Sequence, residues 1–287
     1  MKLIIIGATG MLGQSLVKEA QNRNIEVIRI ARSGADINID IVDDSLLQSA
    51  IRKVKPDVII NAAAITDLLK CEENPSQAYL INARAVGIIA EVCREQGAYF
   101  IQISTDHYYT GEHDSKHTED NHVRLLNEYA RTKYAGERFA LAYSNSLIVR
   151  TNIVGFRGNK NLTFIEWVIQ MLKNKSKIIM FDDFFTSSIH VKQCSCAIYD
   201  LLEKHPTGII NIASREVVSK MKFIQAVASK MGYKTFESKT GSVRSLQSVV
   251  RAESLGLDVL KAEVLLGYPL PSMEEVVESV MNEYRGT

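Results

Sequence analysis

Met1-Lys2-Leu3-Ile4-Ile5-Ile6-Gly7-Ala8-Thr9-Gly10-Met11-Leu12-Gly13 opens the chain, and this stretch decides the fold. A short apolar run rich in Ile reads as a buried strand, and residues 11–22 then take up helical periodicity. Between them lies a loop with glycines at its first, fourth and seventh positions. Glycines let a backbone approach a pyrophosphate closely, and the unpaired amides at a helix N-terminus stabilise its charge. Gly7, Thr9, Gly10, Met11, Leu12 and Gly13 are therefore expected to hold a dinucleotide.

Working outward, strands are expected at 2–6, 26–30, 57–62, 99–104 and 146–150, with helices around 11–22, 44–54, 76–94 and 128–143. Strands alternating with helices predict a doubly wound parallel-sheet (Rossmann) α/β domain over 1–152. Right-handed crossovers then set the carboxyl ends of the strands along one edge, where such sheets bind ligands. Beyond residue 152 helices are expected at 161–174, 190–203, 219–231, 259–266 and 272–284, with strand-like runs at 177–181 and 208–212. Residues 153–287 read as a smaller C-terminal α/β substrate lobe, with 177–212 partly returning to the first sheet.

The chain has 287 residues, 46% hydrophobic and 23% charged, enough to bury a full core. Lys and Arg number 34 against 33 Asp and Glu, so the net charge of +1 offers no surplus for a nucleic-acid backbone or an anionic membrane. The apolar runs are strand-sized and too short for a signal peptide or a membrane span, which predicts a cytoplasmic protein. Cys71, Cys93, Cys194 and Cys196 are expected as reduced thiols, because disulfide scaffolds belong to small secreted chains. Cys194-Ser195-Cys196 lacks metal-ligand spacing, and His113, His117 and His122 lie in a polar stretch expected to be a solvated loop, so no metal site is expected.

The catalytic pair is Tyr129 and Lys133, in Asn127-Glu128-Tyr129-Ala130-Arg131-Thr132-Lys133. Four residues apart on a helix that Asn127 can cap, they share one face. An ammonium beside a phenol favours its ionised form and eases proton exchange near neutral pH. Ser104-Thr105-Asp106 ends the preceding strand, where Thr105 can orient and polarise a carbonyl.

These features together resemble the extended short-chain dehydrogenase/reductase family. The resemblance narrows to its dTDP-4-dehydrorhamnose reductase branch over nearly the whole chain. It is carried by the glycine loop, Asn61-Ala62-Ala63-Ala64, Cys71-Glu72-Glu73-Asn74-Pro75, Ser104-Thr105-Asp106, Tyr129 through Glu137, Arg150-Thr151, Asp182-Asp183 and Leu265 through Pro271. The resemblance implies hydride transfer from NADPH or NADH to a nucleotide-activated 4-keto sugar, with the proton given by Tyr129. It assigns Asp40 and Ile41 to adenine, Ala62, Ala63 and Ala64 to the cofactor wall, and Lys133 also to the ribose. Asp106, with Thr66, His107 and Ile153, would face the sugar. No acid follows the second strand, where Arg32 offers a site for a 2′-phosphate. Arg244 and Arg251 are candidates for the substrate pyrophosphate.

Several positions depart from the branch. Asn152-Ile153 stands where Ser and an aromatic usually follow Arg-Thr, and Phe184-Phe185-Thr186-Ser187-Ser188-Ile189 replaces the usual Gln-Phe-Gly-Ser-Pro-Thr. Ile65 and His107 replace two tyrosines, so an altered sugar preference is expected. Two other readings share the scaffold. A nucleotide-sugar epimerase or dehydratase would use Asp106-His107 as acid and base. A dinucleotide-binding regulatory subunit would resemble the methionine adenosyltransferase β subunit. The expected partners are a small nucleotide sugar and a second copy of the chain in a homodimer.

Overall fold

The structure is a computed structural model and describes residues 1–158, 162–246 and 249–286. Along the chain come β1 (Lys2–Ile6), α1 (Met11–Asn22), β2 (Glu26–Ala31), β3 (Ile37–Asn38), α2 (Asp44–Val54) and β4 (Val58–Asn61). Two short helices, α3 (Leu68–Glu73) and α4 (Pro75–Tyr79), run into a π-helical turn (Leu80–Arg84) and α5 (Ala85–Gln96). Next are β5 (Tyr99–Ile103), α6 (Glu128–Leu141), β6 (Ser146–Thr151), β7 (Ile153–Val154), α7 (Phe164–Lys173), β8 (Ile178–Phe181), β9 (Phe185–Thr186) and β10 (Ile189–His190). The chain continues through α8 (Val191–Lys204), β11 (Gly208–Ile212), β12 (Val218–Ser219), α9 (Lys220–Lys230), β13 (Ser238–Gly241), α10 (Leu260–Leu266) and α11 (Met273–Gly286). The start of the helix expected at 161–174 touches Asn161, which lies outside the described residues.

The chain divides into two compact units. The first comprises Met1–Thr105, Leu125–Arg150 and Ser195–Ile210, and the second Asp106–Arg124, Thr151–Cys194 and Asn211–Thr287. The division is thus not a single cut at residue 152, because the chain passes between the units several times.

The first unit is built on a seven-stranded sheet of order β11-β6-β5-β4-β1-β2-β3. The pairings from β3 across to β6 are parallel. Leu3, Ile4, Ile5 and Ile6 are fully buried because helices cover both faces, which is why the strand reads as an uninterrupted apolar run. Ile4, Ile30, Leu47, Ile59, Ile89 and Phe100 form the core of one face. On the other, α8 is fastened to α1 by Tyr199, whose hydroxyl donates to the Leu16 carbonyl at 2.9 Å. Successive strands run outward from β1 in one direction and from β4 in the other. The β1/β4 boundary is therefore a topological switch point, where crevices form beyond the carboxyl ends of the strands.

The second unit packs Val154, Ile165, Val168, Phe223, Val227 and Val277 into its own core. Its strands are short pairs: β7 with β10, β9 with β12, and β8 with β13. Of the stretch expected to return to the large sheet, α8 and β11 contribute to the first unit, but β8 does not. Its residues alternate between buried and exposed, with Ile179 55% exposed, the pattern of a strand covered on one side only. No helix among the described residues is long and apolar enough to cross a membrane.

Candidate active site

In the first unit the glycine loop sits at the switch point. Gly7 has φ +80°, and a Cβ there would lie 2.7 Å from the Ala63 amide nitrogen, so the loop after β1 and the loop after β4 touch backbone to backbone. Gly13 is tighter, since its Cβ would meet the Gly7 carbonyl oxygen at 2.1 Å. Together these glycines draw α1 against the end of β1. Gly10 caps α1 without any side-chain hydrogen bond, so the amides of the first turn are not supplied with an acceptor by the cap residue. This cradle fits a dinucleotide pyrophosphate.

Ala62, Ala63 and Ala64 follow β4 and are half-buried, placed by Asn61, whose Oδ1 accepts from the Ala63 amide at 3.1 Å. Arg32 is exposed just beyond β2 and makes no hydrogen bond or ion pair among the described residues, whereas Arg29 is engaged by Asp36 at 2.7 Å. Asp40 is exposed and accepts from the Val42 amide, while Ile41 is buried in the core.

The second feature of this unit is α6. Asn127 accepts from the Ala130 amide at 2.9 Å and starts the helix, which then carries Tyr129, Lys133 and Glu137 on one face. Tyr129 is buried with Cys71 and Ala78, against Ile65 and Leu68. Lys133 Nζ donates to the Ile103 carbonyl at 2.7 Å, at the end of β5 and immediately before buried Ser104 and Thr105. Gln102 donates to the same carbonyl at 2.6 Å. Burial pulls the Lys133 ammonium down to about 8, while Glu137 acts in the opposite direction. Glu137 is itself paired bidentately with fully buried Arg150, which spreads its charge over a second partner.

The π-helical turn brings in Asn82. Its Oδ1 accepts from the Ile65 amide at 2.9 Å, and its Nδ2 donates to the Ile65 carbonyl at 3.0 Å and to Thr132 Oγ1 at 3.2 Å. One side chain thus ties the loop after β4 to the helix bearing Tyr129. Turns of this kind recur at functional sites.

The second unit holds a partly buried polar cluster that begins at Asp106. Asn152 Nδ2 donates to Asp106 Oδ2 at 2.7 Å, and Ser188 Oγ donates to Asn152 Oδ1 at 2.7 Å. Lys220 Nζ donates to Ser188 Oγ at 3.3 Å. His107 is held neutral, its pKa lowered to about 4 by burial and by the charges of Arg251 and Lys220. Its Nε2 stands 4.0 Å from Asp106 Oδ1. Ile153 is half-buried in β7.

A family model described as the RmlD substrate binding domain matches residues 1–285. The chain belongs to this family. The spore coat polysaccharide biosynthesis protein SpsK of Bacillus subtilis is 27% identical to this RmlD-family chain over 235 residues, 82% of the chain and 81% of the relative. The dTDP-4-dehydrorhamnose reductase of Escherichia coli is 32% identical over 186 residues, 64% of the chain and 61% of the relative. Among solved structures, the dTDP-4-dehydrorhamnose reductase of Bacillus anthracis in complex with NADP superposes with a TM-score of 0.89 at 25% identity, covering 98% of this chain and 99% of that one. A hypothetical dTDP-4-dehydrorhamnose reductase from Sulfolobus tokodaii gives 0.84 at 32% identity, covering 95% and 97%.

Within the family frame, the structure gathers the expected glycines, Ala62 to Ala64, Thr105, Tyr129 and Lys133 into the first unit. It places Asp106, His107, Ile153, Arg244 and Arg251 in the second. Thr66 is exposed in the first unit, just before α3. Arg244 is exposed and already pairs with Glu253, whereas Arg251 is half-buried and acts electrostatically on His107.

Two expectations about side groups are refined. His117 is not a solvated loop residue: it stacks on Tyr109 with ring centroids 4.6 Å apart, and its backbone bonds to Gly256 and Asp258. Cys194 is buried and Cys196 half-buried, and none of the four cysteines forms a disulfide. Among the described residues no group of three or more His, Cys, Asp or Glu is placed to hold a metal.

The sequence reading gave no role to Asn82 or Lys220. Asn82 has no signal beyond an amide within an apolar stretch. Lys220 had one: a lysine at the first position of a helix opposes the helix dipole, so its presence there asks for a local reason.

Proposed function

We propose that the chain is an NADPH-dependent reductase of a nucleotide-activated 4-keto sugar, acting in the cytoplasm, where its free thiols are at home. The observation that carries this reading is the placement of Lys133 on the Ile103 carbonyl, one helical turn from Tyr129 and two residues before Thr105. When bound in the cradle of Gly7, Gly10 and Gly13, NADPH supplies the hydride that reaches the keto carbon. Tyr129 gives its phenolic proton to the carbonyl oxygen, so that the ketone becomes a secondary alcohol. Lys133 stabilises the phenolate left behind and binds the ribose hydroxyls, and Thr105 donates a hydrogen bond that polarises the carbonyl.

Arg32 takes the 2′-phosphate, Asp40 and Ile41 the adenine, and Asp106, His107, Thr66 and Ile153 the sugar. Arg251 takes the substrate pyrophosphate, a role open to Arg244 only if it leaves Glu253. Support comes from relatives named as dTDP-4-dehydrorhamnose reductases and from a structural neighbour crystallised with NADP. Use of Asp106 as a dehydratase acid fits less well, because Asn152 already fixes that carboxylate.

The test is a turnover assay with dTDP-, UDP-, GDP- and CDP-linked 4-keto sugars, following NADPH oxidation at 340 nm. Stoichiometric oxidation with at least one of them is expected. No oxidation with any would overturn the reductase reading in favour of a regulatory dinucleotide-binding protein.

A further inference from the structure

The second unit contains a half-buried lysine for which the reaction above has no role. Lys220 Nζ lies 4.6 Å from the centroid of the Phe164 ring and 5.8 Å from that of Phe184, so two aromatic faces receive its charge. Its hydrogen bond goes to Ser188 Oγ. Burial pulls its pKa down to about 8, with Asp106 acting against that fall. A desolvated ammonium is costly to hold in place, and here it stands at one end of a chain of donors that all point the same way. Lys220 donates to Ser188, Ser188 to Asn152, and Asn152 to Asp106. A cation heads the chain and a carboxylate ends it, so each bond is polarised by its neighbours.

Two of the four members are departures from the branch pattern: Asn152 stands where Ser is usual, and Ser188 where Pro is usual. A proline supplies no hydroxyl, so the relay cannot form without Ser188. The substitutions are therefore coupled by geometry rather than scattered.

We propose that Lys220 is a positioning residue which, through Ser188 and Asn152, fixes the Asp106 carboxylate against the sugar and so sets substrate affinity. The proposal rests on the reductase reading, in which Asp106 faces the sugar. Lys220 touches no reacting atom, and its effect passes entirely through Asp106.

The experiment compares wild type with Lys220→Met, Ser188→Ala and Asn152→Ala, alone and combined with Asp106→Asn, using the keto sugar that wild type reduces best. Each single variant is expected to raise KM for the sugar about tenfold, the scale of a lost charge-assisted hydrogen bond, with kcat changed much less and NADPH affinity unchanged. In the Asp106→Asn background, Lys220→Met should add nothing, because the relay then has no carboxylate to place. A merely structural lysine would add its full effect in that background, and this outcome overturns the proposal. So do unchanged KM values in the single variants. If Lys220→Met fails to fold, as judged by its thermal melt, Ser188→Ala carries the same comparison with one hydroxyl removed. No turnover by wild type would overturn the reductase reading and the proposal with it. Wild-type turnover with variants of unchanged KM overturns the proposal alone.

Discussion

At the scale of single residues, the proposed mechanism divides the chemistry between Tyr129 and Lys133, and their substitutions should separate it. Tyr129→Phe removes the proton donor while leaving a ring of the same shape against Cys71, Ala78, Ile65 and Leu68. Turnover should fall roughly 10²–10⁴-fold, the usual worth of acid catalysis, with NADPH affinity intact by fluorescence titration. A variant of wild-type activity would end the mechanism. Lys133 loses its proton as the pH rises through about 8, so kcat/KM should decline above that value. Lys220 titrates in the same range, and a Lys220→Met variant that keeps the decline assigns it to Lys133.

Arg32 gives a second residue-scale test. Replacing it by Ala should weaken NADPH about tenfold and leave NADH unchanged, since only the former carries the 2′-phosphate. Equal behaviour towards both cofactors would show that the exposed guanidinium faces only solvent. The placement of these residues was legible because each follows a strand or lies one turn from its partner. Lys220 and Asn82 were not, because what defines them is a contact with residues 32 and 17 positions away in sequence.

At the scale of elements, the helix that carries the proposed catalytic pair is held by a near-contact of backbones. A Cβ on Gly136 would lie 2.2 Å from the Asn82 carbonyl oxygen, so α6 lies directly against the π-helical turn. Gly136→Ala should separate them, lowering stability by roughly 1–3 kcal/mol as overpacked positions do. It should also lower kcat, because Tyr129 and Lys133 ride on the same helix. Differential scanning calorimetry with a parallel rate assay checks both, and an Ala variant with unchanged melting temperature and rate would refute the account.

The long helices and the strands of the large sheet other than the two-residue β3 were visible in the sequence, since a 3.6-residue period or a four-residue buried run leaves a signature. The pairs β7 with β10 and β9 with β12 were not, because two residues are too few to show alternation. Nor was the π-helical turn, whose residues Leu80 to Arg84 carry ordinary helical preferences. Residues 177–181 read as a strand-like run that could return to the large sheet, but β8 pairs with β13 instead, and its alternation between buried and exposed residues could not name that partner.

At the scale of the whole molecule, the balanced charge of the chain hides a local imbalance that should govern its stability in acid. His107 is half-buried, and its desolvation, with the charges of Arg251 and Lys220, keeps its pKa at about 4, against an ordinary histidine value of 6.5. His117, stacked on Tyr109, is shifted in the same direction by burial. Because the folded values lie below the unfolded ones, the unfolded chain takes up these protons first as the pH falls. Stability is therefore fully present above about pH 6.5 and declines towards pH 4, below which His107 is protonated in both states and contributes no further slope. For His107 alone the loss at pH 5 is about 2 kcal/mol relative to neutral pH. His107→Gln keeps a polar side chain of similar reach but cannot titrate. Urea melts at pH 7 and pH 5 should show the variant losing less stability than wild type by about that amount, with His117 accounting for part of what remains. A wild-type slope that persists undiminished in the variant would mean that His107 is not the group taking up the proton, so that neither its desolvation nor the charges of Arg251 and Lys220 hold its imidazole neutral.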